Sequence, residues 1–567
     1  MKNELDNGGF GYLIRGKKQL DTQMVPLYGF DPEGERAYEV SKIPIDSGVT
    51  RFYNSRAGGF VPANIALDTS LSQAIHYGEA FFEGMRFYDS PNGVVLSRPA
   101  CNFARFQHSA SLFNPVLARL IVESFSAEHD LQSIALGMAP YPKQFYDLAE
   151  KRYQEGQEMS IPIVKTYPNG HSEQMELPLT MKVAGGFGLP MNLTMKRLDT
   201  ITKMLAFLGR LVSADYFPQD LEMMNAGYIR LFGVVAGAQG LKVPSCFSEQ
   251  EASGARKIKS KDMHFGAITL PWALYLSEED YKRGLDVLAS PYRRIHDDTM
   301  PSNMKVSGNY VNSMMAINMG NFFGYGEILA FNSKGKFVEG SAENAFVIMD
   351  ECGQLVAYTP PIGDGCLPGT TRDGVIRAIE GLGIDLRYKS LGFSELTEAK
   401  AIILTGTGAQ MIHVRSINTK AVAEEIAKII RLRSEGSEAG AAILWEDFKE
   451  EKHLINGGER HPIVDTIQAA FKQMLLDGER YLEPAYNIDL ATMSELVGVE
   501  LKDITTKKDR ESATAGYFRE RVNGIESPNE LLSRYKKMAR IIRTAMKKAD
   551  LPGIPLGNLL IGKNKKP

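Results

Sequence analysis

Apolar and polar positions along this chain change period repeatedly, and each change marks an element. In "NFARFQHSASLF", Asn102–Phe113, apolar residues recur at three- and four-residue spacing, which predicts a helix. The preceding "GVVLSRP" and "HYGEAFFEGMRFY" read as strand-like text. Further on, "KQFYDLAEKRYQEGQ" has helical spacing, and "YPNGH" carries the turn signal Asn169-Gly170, which predicts a hairpin. A helical run, "TITKMLAFLGRLVSADYF", then leads into the apolar strand "AGYIRLFGVVAG". From about residue 285 short strands and helices alternate, as in "EILAFNSKGKFVEG", "NAFVIMDECGQLVAYTPP", "DGVIRAIEGLG" and "KAIILTGTGAQ". The expected architecture is mixed, α+β, in two domains: 49–268 with an insertion at about 115–188, and 285–486 with a second insertion near 425–455. Residues 269–284 connect them. Residues 1–48 have no clear period and read as an arm, and 487–567 read as a largely helical extension.

Length and composition agree with more than one core. At 567 residues the chain exceeds what one hydrophobic core organises, and 44% hydrophobic with 23% charged residues is ordinary for a globular protein. A net charge of −3 does not mark a nucleic-acid binder. The N-terminus lacks an apolar signal core, and no run of about eighteen apolar residues offers a membrane span. Four scattered cysteines without a CxxC point to a reduced, cytoplasmic protein without a structural metal. The tail departs from this balance, with sixteen Lys/Arg against seven Asp/Glu over residues 501–567. Its "PNELLSRYKKMARIIRTAMKKADLPG" is bounded by Ser-Pro and Pro-Gly and predicts one basic amphipathic helix, of the kind that packs on its own domain or a partner subunit.

Candidate chemistry collects in the second half. Lys305, in "MPSNMKVSGNY", stands among small and polar residues five positions before Tyr310. A lone lysine in a turn is usually a surface lysine, since lysine is seldom buried unless paired. In the same half, however, Glu339 ends a strand in "FVEGSAENAF". Thr370 and Thr371 open a helix in "LPGTTRDGVI", a ready anion site. Thr407 and Gly408 lie in "TGTGAQ", where small residues let an anion approach backbone N–H groups. An amine, a carboxylate and two anion-binding turns are the parts that pyridoxal phosphate requires.

The motifs "HYGEAFFEGMRFY", "RFQHSASLF", "GYIRLF", "PWALYL", "KVSGNY", "FVEGSAENAFVI", "LPGTTRDGVI", "TGTGAQ" and "VRSIN" occur in family order. Through them the chain closely resembles the branched-chain amino acid aminotransferases, class IV enzymes of the fold type IV, D-amino acid aminotransferase-like architecture. The resemblance implies pyridoxal 5'-phosphate as cofactor and Lys305 as its Schiff-base lysine and proton shuttle. It implies Tyr310 on the phenolic oxygen, Glu339 on the pyridine nitrogen, and Arg105, Thr370, Thr371 and Thr407 on the phosphate. Tyr77, Phe82, Gly84, Arg86, Trp272 and Tyr275 resemble the walls of an apolar substrate pocket. Arg230 resembles the arginine that meets the distal carboxylate of glutamate, and backbone groups of Gly408 and Ala409 those that hold the α-carboxylate.

The implied reaction moves an amino group from Leu, Ile or Val to 2-oxoglutarate, in biosynthesis or catabolism, with at least a homodimer as the working unit. Neither membrane nor nucleic acid is expected as a partner. D-amino acid transaminases and aminodeoxychorismate lyases share Lys305, Glu339 and the phosphate turns, so they stay open as alternatives, although "YIR", "FFEGMR" and "PWALYL" favour the branched-chain reading. A binding protein that uses the basic tail is the alternative from another class.

Overall fold

Glycine and phenylalanine face each other across the centre of the first sheet. In the computed structural model, strand β3 (Ala80–Ser90) pairs antiparallel with β9 (Ala226–Val235), setting Phe81 opposite Gly233 and Phe87 opposite Gly227. Each ring covers the glycine, so a Cβ on either glycine would overlap the ring. This packing compensates a strand glycine for its missing side chain. The structure describes residues 51–484 apart from gaps, the longest being 114–142, 207–225 and 419–451. The N-terminal arm, the basic tail helix, most of the 200–217 run, most of the second insertion, Trp272 and Tyr275 lie outside the described residues.

The first sheet also contains β1 (Arg51–Asn54), β2 (Gly59–Pro62), β4 (Gly93–Ser97), β12 (Met263–Pro271) and β22 (Leu482–Pro484), in the order β2-β1-β12-β9-β3-β4-β22. A short helix, α1 (Gln73–Tyr77), precedes β3. Helix α2 (Pro99–Ser111) is buried along its whole length, beside α3 (Lys143–Gln154). A predicted hairpin is present, β5 (Ser160–Thr166) with β6 (Ser172–Pro178), followed by the pair β7 (Met181–Ala184) and β8 (Pro190–Leu193). A further two-stranded pair is β10 (Phe247–Gln250) with β11 (Arg256–Ile258). The core here is aromatic: Phe81 and Phe106 are fully buried with centroids 5.0 Å apart, and Phe265 meets Phe106 edge-on at 5.8 Å.

Helix α4 (Glu278–Arg283), closed by a Ser277/Asp280 capping box, leads into the second sheet. Its strands are β13 (Leu285–Arg293), β14 (Glu327–Phe331), β15 (Phe337–Glu339), β16 (Asn344–Glu351), β17 (Gln354–Thr359), β18 (Asp385–Tyr388), β19 (Ala401–Gly406), β20 (Gln410–Asn418) and β21 (Lys452–Leu454). They run in the order β15-β14-β13-β20-β19-β16-β17-β18, with β21 on β20. Helices α5 (Tyr310–Phe322), α6 (Thr370–Gly381), α7 (Phe393–Thr397) and α8 (Pro462–Leu476) complete it. Parallel pairs such as β13–β14 and antiparallel pairs such as β16–β19 share this sheet, so the α+β expectation holds.

One expected boundary is crossed. The sequence reading assigns residues up to 486 to the second domain, but β22 pairs with β4 in the first sheet. The chain returns because β4 otherwise presents an unpaired edge, whose backbone groups β22 satisfies. The substitution Gly233→Ala tests the packing of β3 on β9. It is expected to cost about 1–3 kcal/mol by overpacking, read as a lower thermal midpoint, with partial recovery on adding Phe81→Leu. An unchanged midpoint for the single variant would show that the ring has room to move.

Candidate active site

The backbone of Lys305 is held between the two halves of the molecule. Its carbonyl accepts from Phe82 N at 3.1 Å, its N–H donates to Ser109 Oγ at 2.8 Å, and an isolated bridge joins Phe81 to Val306. Lys305 therefore lies against β3 and α2 although it precedes α5. Its Nζ lies 2.5 Å from Tyr310 Oη and 5.0 Å from the Phe82 ring centroid. A short 3-10 turn, Ser307–Asn309, makes the five-residue spacing work, because it brings Tyr310 back over the lysine. Burial lowers the Lys305 amine to about 8, with the Arg105 charge assisting and Glu83 opposing. Burial pushes the Tyr310 phenol up to about 12, against the pull of Arg294 and Arg105. An amine and a neutral phenol thus share a hydrogen bond in a partly buried site.

Glu339 ends β15 and is buried. Its Oε1 accepts from Arg294 Nε and Nη2, both at 2.7 Å, and its Oε2 from Asn344 Nδ2 and Leu367 N, both at 3.0 Å. Burial raises its pKa from the ordinary glutamate value, and the Arg294 charge opposes that shift. The acceptor geometry decides between them: donors face both oxygens, which suits the ionised form, whereas a proton on either would meet another donor. Arg294, in "RRIHDD", carries no sequence signal of this role. Only the strand arrangement brings it to Glu339.

The predicted phosphate groups converge, but with a partner that sequence reasoning missed. Arg105 donates from Nε to Glu83 Oε2 at 2.8 Å, from Nη2 to Glu83 Oε1 at 2.6 Å, and from Nη1 to Pro368 O at 2.7 Å. N–H donors remain at both terminal nitrogens for an anion. Glu83 lies within "FFEGMR", the one place where the motif could have signalled it. Tyr146, on α3, donates to the same Pro368 carbonyl at 2.7 Å, and Asn102 donates to Thr370 Oγ1 at 3.3 Å. Arg98 donates to Thr370 O at 3.1 Å and pairs with Asp373 at 2.5 Å and Glu150 at 2.9 Å. Helix α6 begins at Gly369 without a side-chain cap, and the Thr371 and Thr407 hydroxyls lie 3.5 Å apart.

Among the described residues the N–H groups of Thr370 and Thr371 donate to no acceptor in the chain. An uncapped helix N-terminus with hydroxyls beside it fits a phosphate. Lys305 fits an aldehyde and Glu339 a ring nitrogen, so the residues present suit pyridoxal phosphate.

Of the expected substrate groups, Phe82 and Arg230 join this site. The Arg230 guanidinium lies 4.6 Å from the Phe82 centroid and 5.2 Å from that of Tyr228, and its buried Nε meets no acceptor among the described residues. Gly84 leaves room for the Tyr228 hydroxyl, where a Cβ would overlap it. Tyr77 ends α1 next to Gly78, which approaches Gly308 behind the lysine, while its own ring neighbours His76 at 6.3 Å. Arg86 is buried and bonds to Thr407 O and Gly408 O.

Residues 258–417 match the amino-transferase class IV family. Over 154 residues the chain is 34% identical to the branched-chain-amino-acid aminotransferase of Escherichia coli K12, covering 27% of this chain and 48% of that protein. It is 35% identical over 144 residues to a probable branched-chain-amino-acid aminotransferase of Aquifex aeolicus, covering 25% of this chain and 45% of that one. The matched part thus spans about half the length of these curated relatives. The crystal structure of the Escherichia coli branched-chain amino acid aminotransferase aligns with 77% of this chain and 99% of its own, at 20% identity and a TM-score of 0.48.

The depressed Lys305 amine has a consequence for stability. Its folded value of about 8 lies below its ordinary 10.5, so the unfolded chain binds the extra proton between those two values. Lys305 therefore costs stability at neutral pH, about 3 kcal/mol in order of magnitude, and the cost fades as pH rises from about 8 toward 10.5. Cofactor-free Lys305→Met is expected to melt above cofactor-free wild type at pH 7, with the gap closing by pH 10. Equal midpoints at pH 7 would mean that the amine is not desolvated.

Proposed function

We propose that this chain, with its class IV aminotransferase domain over residues 258–417, is a pyridoxal-phosphate-dependent transaminase that moves amino groups from branched-chain L-amino acids to 2-oxoglutarate. One observation carries the reading. The Lys305–Tyr310 pair, the Arg294-held Glu339 and the uncapped start of α6 face one site, beside a pocket that has both an aromatic wall and an arginine.

The bound cofactor would supply an aldehyde for the amino group and a ring that accepts the electron pair left when Cα loses its proton. Lys305 Nζ, whose value is lowered to about 8 and so lies near working pH, takes that proton and returns it, in the range where a general base is effective. Tyr310 steadies Nζ through their hydrogen bond. Glu339, kept ionised by Arg294, favours a protonated ring nitrogen. Phe82 offers an apolar surface to an isopropyl or isobutyl side chain, which such a surface separates by only about 1–3 kcal/mol per methylene. Arg230, with its unused Nε, meets the distal carboxylate of glutamate or 2-oxoglutarate on the other half of the cycle. Alternation of the two substrates at one site makes the kinetics ping-pong.

Two further points belong to this reading. The described cysteines 101, 352 and 366 are free, as in a reducing compartment, so we place the enzyme in the cytoplasm. We also infer a homodimer. Helix α5 turns Ser313, Ala316 and Gly320 toward its own sheet and leaves Val311, Met314, Met315 and Phe322 exposed, at 52, 53, 43 and 51%. A helix apolar on both faces is one that is covered on both, here by a second copy.

An absorption spectrum tests the chemistry. Purified protein should show a near-ultraviolet or visible cofactor band that L-leucine depletes and 2-oxoglutarate restores, and Lys305→Ala should abolish the cycle. A band that ignores leucine but answers a D-amino acid would move the assignment to a sister activity, and the absence of any band would end the catalytic reading. For the assembly, Met314→Glu with Met315→Glu is expected to convert a dimer to monomer in sedimentation velocity. A double variant that remains dimeric would place the interface elsewhere.

A further inference from the structure

Strands β15 and β16 are joined by the turn Gly340–Glu343, and both residues that flank it belong to the site. Glu339 precedes the turn. Asn344 follows it, and its Nδ2 donates to Glu339 Oε2 at 3.0 Å and to Leu367 O at 2.7 Å. One backbone bond closes the turn, from Gly340 N to Glu343 O at 2.7 Å, and Ala342 at its tip is exposed. Beneath that tip lie two further carboxyl groups, those of Glu327 and Glu343. Glu327, at the start of β14, accepts on Oε1 from Ile328 N at 2.7 Å and Ser341 N at 3.0 Å, and on Oε2 from Ser341 Oγ at 3.0 Å. Glu343 folds back so that its Oε2 accepts from Ala342 N at 3.0 Å. Its side chain lies between two glycines: a Cβ on Gly340 would come 3.2 Å from its Oε2, and one on Gly406 3.6 Å from its Cγ.

Both residues are buried, at 6 and 5% exposure, and their carboxyl groups hydrogen-bond to each other. An ionised carboxylate has no hydrogen to give, so such a bond requires a proton on one of the two. Two like charges in contact in a buried place cannot both persist, as in other carboxyl dyads. The surrounding donors decide which group keeps the proton. Three bonds converge on Glu327, whereas among the described residues one backbone N–H reaches Glu343. Glu327 is therefore the carboxylate and Glu343 the acid that donates to it. Burial pushes both carboxyls up, Glu343 further, because the Glu327 charge beside it adds to burial and Glu339 of β15 faces it with another.

We propose that Glu327 and Glu343 are positioning residues that share one proton, and that this acid–carboxylate pair holds the 340–343 turn so that Glu339 and Asn344 stay aligned on the ring nitrogen of the cofactor. This rests on the transaminase reading and extends it to groups outside the expected contacts of cofactor and substrate. The pair acts on both ends of the turn at once. Glu327 fixes Ser341 through its N–H and its hydroxyl, and Glu343 fixes its own backbone next to Asn344.

Melting of the holoenzyme against pH tests the shared proton, with Glu343→Gln compared to wild type. A carboxyl group protonated in the fold but ionised in the unfolded chain binds more protons when folded. Wild type therefore loses stability as pH rises above the ordinary glutamate value of 4.5, whereas a glutamine has no proton to lose. The variant should gain on wild type steadily, so that the difference in melting midpoint widens between about pH 5 and pH 8. A difference that stays constant over that range would mean that no proton is shared, and would overturn the proposal. Ser341→Ala tests the positioning, since it removes one bond from Glu327 to the turn and leaves both carboxyl groups in place. Its kcat should fall about 3- to 10-fold, the worth of one hydrogen bond. Its KM for leucine should stay within about twofold, because Glu339 acts on the ring and not on the substrate. The pH at which the bound cofactor's absorption band titrates should move up, because a ring nitrogen less firmly held in its protonated form withdraws less charge. An unchanged kcat and an unchanged band would overturn the positioning role, and so would a lower melting midpoint as the sole effect. If wild type binds no cofactor, the transaminase reading fails; if wild type cycles with leucine and both variants match it, only the role of the pair fails.

Discussion

The ion pair between Glu83 and Arg105 holds the two halves of this molecule in register. Both side chains are buried, Glu83 completely, and their two-point contact joins β3 to α2 within the first half. Through its third bond, to Pro368 O, Arg105 grips the turn that opens α6 in the second half. A buried pair of this kind adds little net stability over an apolar replacement, but breaking one partner leaves an uncompensated charge at a cost of about 3–5 kcal/mol. Its value here is positional. Tyr146, Asn102 and Arg98 act on residues 368–370 of the same turn, so helices α2 and α3 together determine where the helix N-terminus and its free N–H groups point.

Burial without full charge compensation runs through the rest of the site. The same desolvation that lowers the Lys305 amine raises the Tyr310 phenol, so both groups are kept toward their neutral forms. Glu339 is the exception, and Arg294 is the reason. Two N–H bonds to one oxygen and two donors on the other make the charged form the one the surroundings accept. An amine made easier to deprotonate, a neutral phenol and a fixed carboxylate are thereby held together in one site.

Much of this was legible before folding was considered, though unevenly. Lys305 with Tyr310, Glu339 in "FVEGSAENAF", the threonines of "LPGTTRDGVI" and the turn "TGTGAQ" each lie in a stretch of a few residues. There the local backbone sets the geometry: a 3-10 turn, a strand end, a helix N-terminus and a hairpin. The helices read at 102–113 and 143–157, which the structure has at Pro99–Ser111 and Lys143–Gln154, and the hairpin at Asn169-Gly170 were readable for the same reason, because their periods and turn residues are local. The return of residues 482–484 to β4 was not, since strand pairing across hundreds of residues leaves no periodic trace.

The sequence by itself therefore determined which chemical groups are available and the local conformation that presents each of them. Only the tertiary structure decided their partners. Glu83 meets Arg105 across 22 positions, Arg294 meets Glu339 across 45, and Arg86 meets Thr407 across 321. Such contacts depend on how two sheets and the helices between them dock, a matter of packing and desolvation summed over the whole core. A hydrogen bond between distant residues has no counterpart in spacing or composition, and that is why the groups that hold the site in place emerged only from the fold.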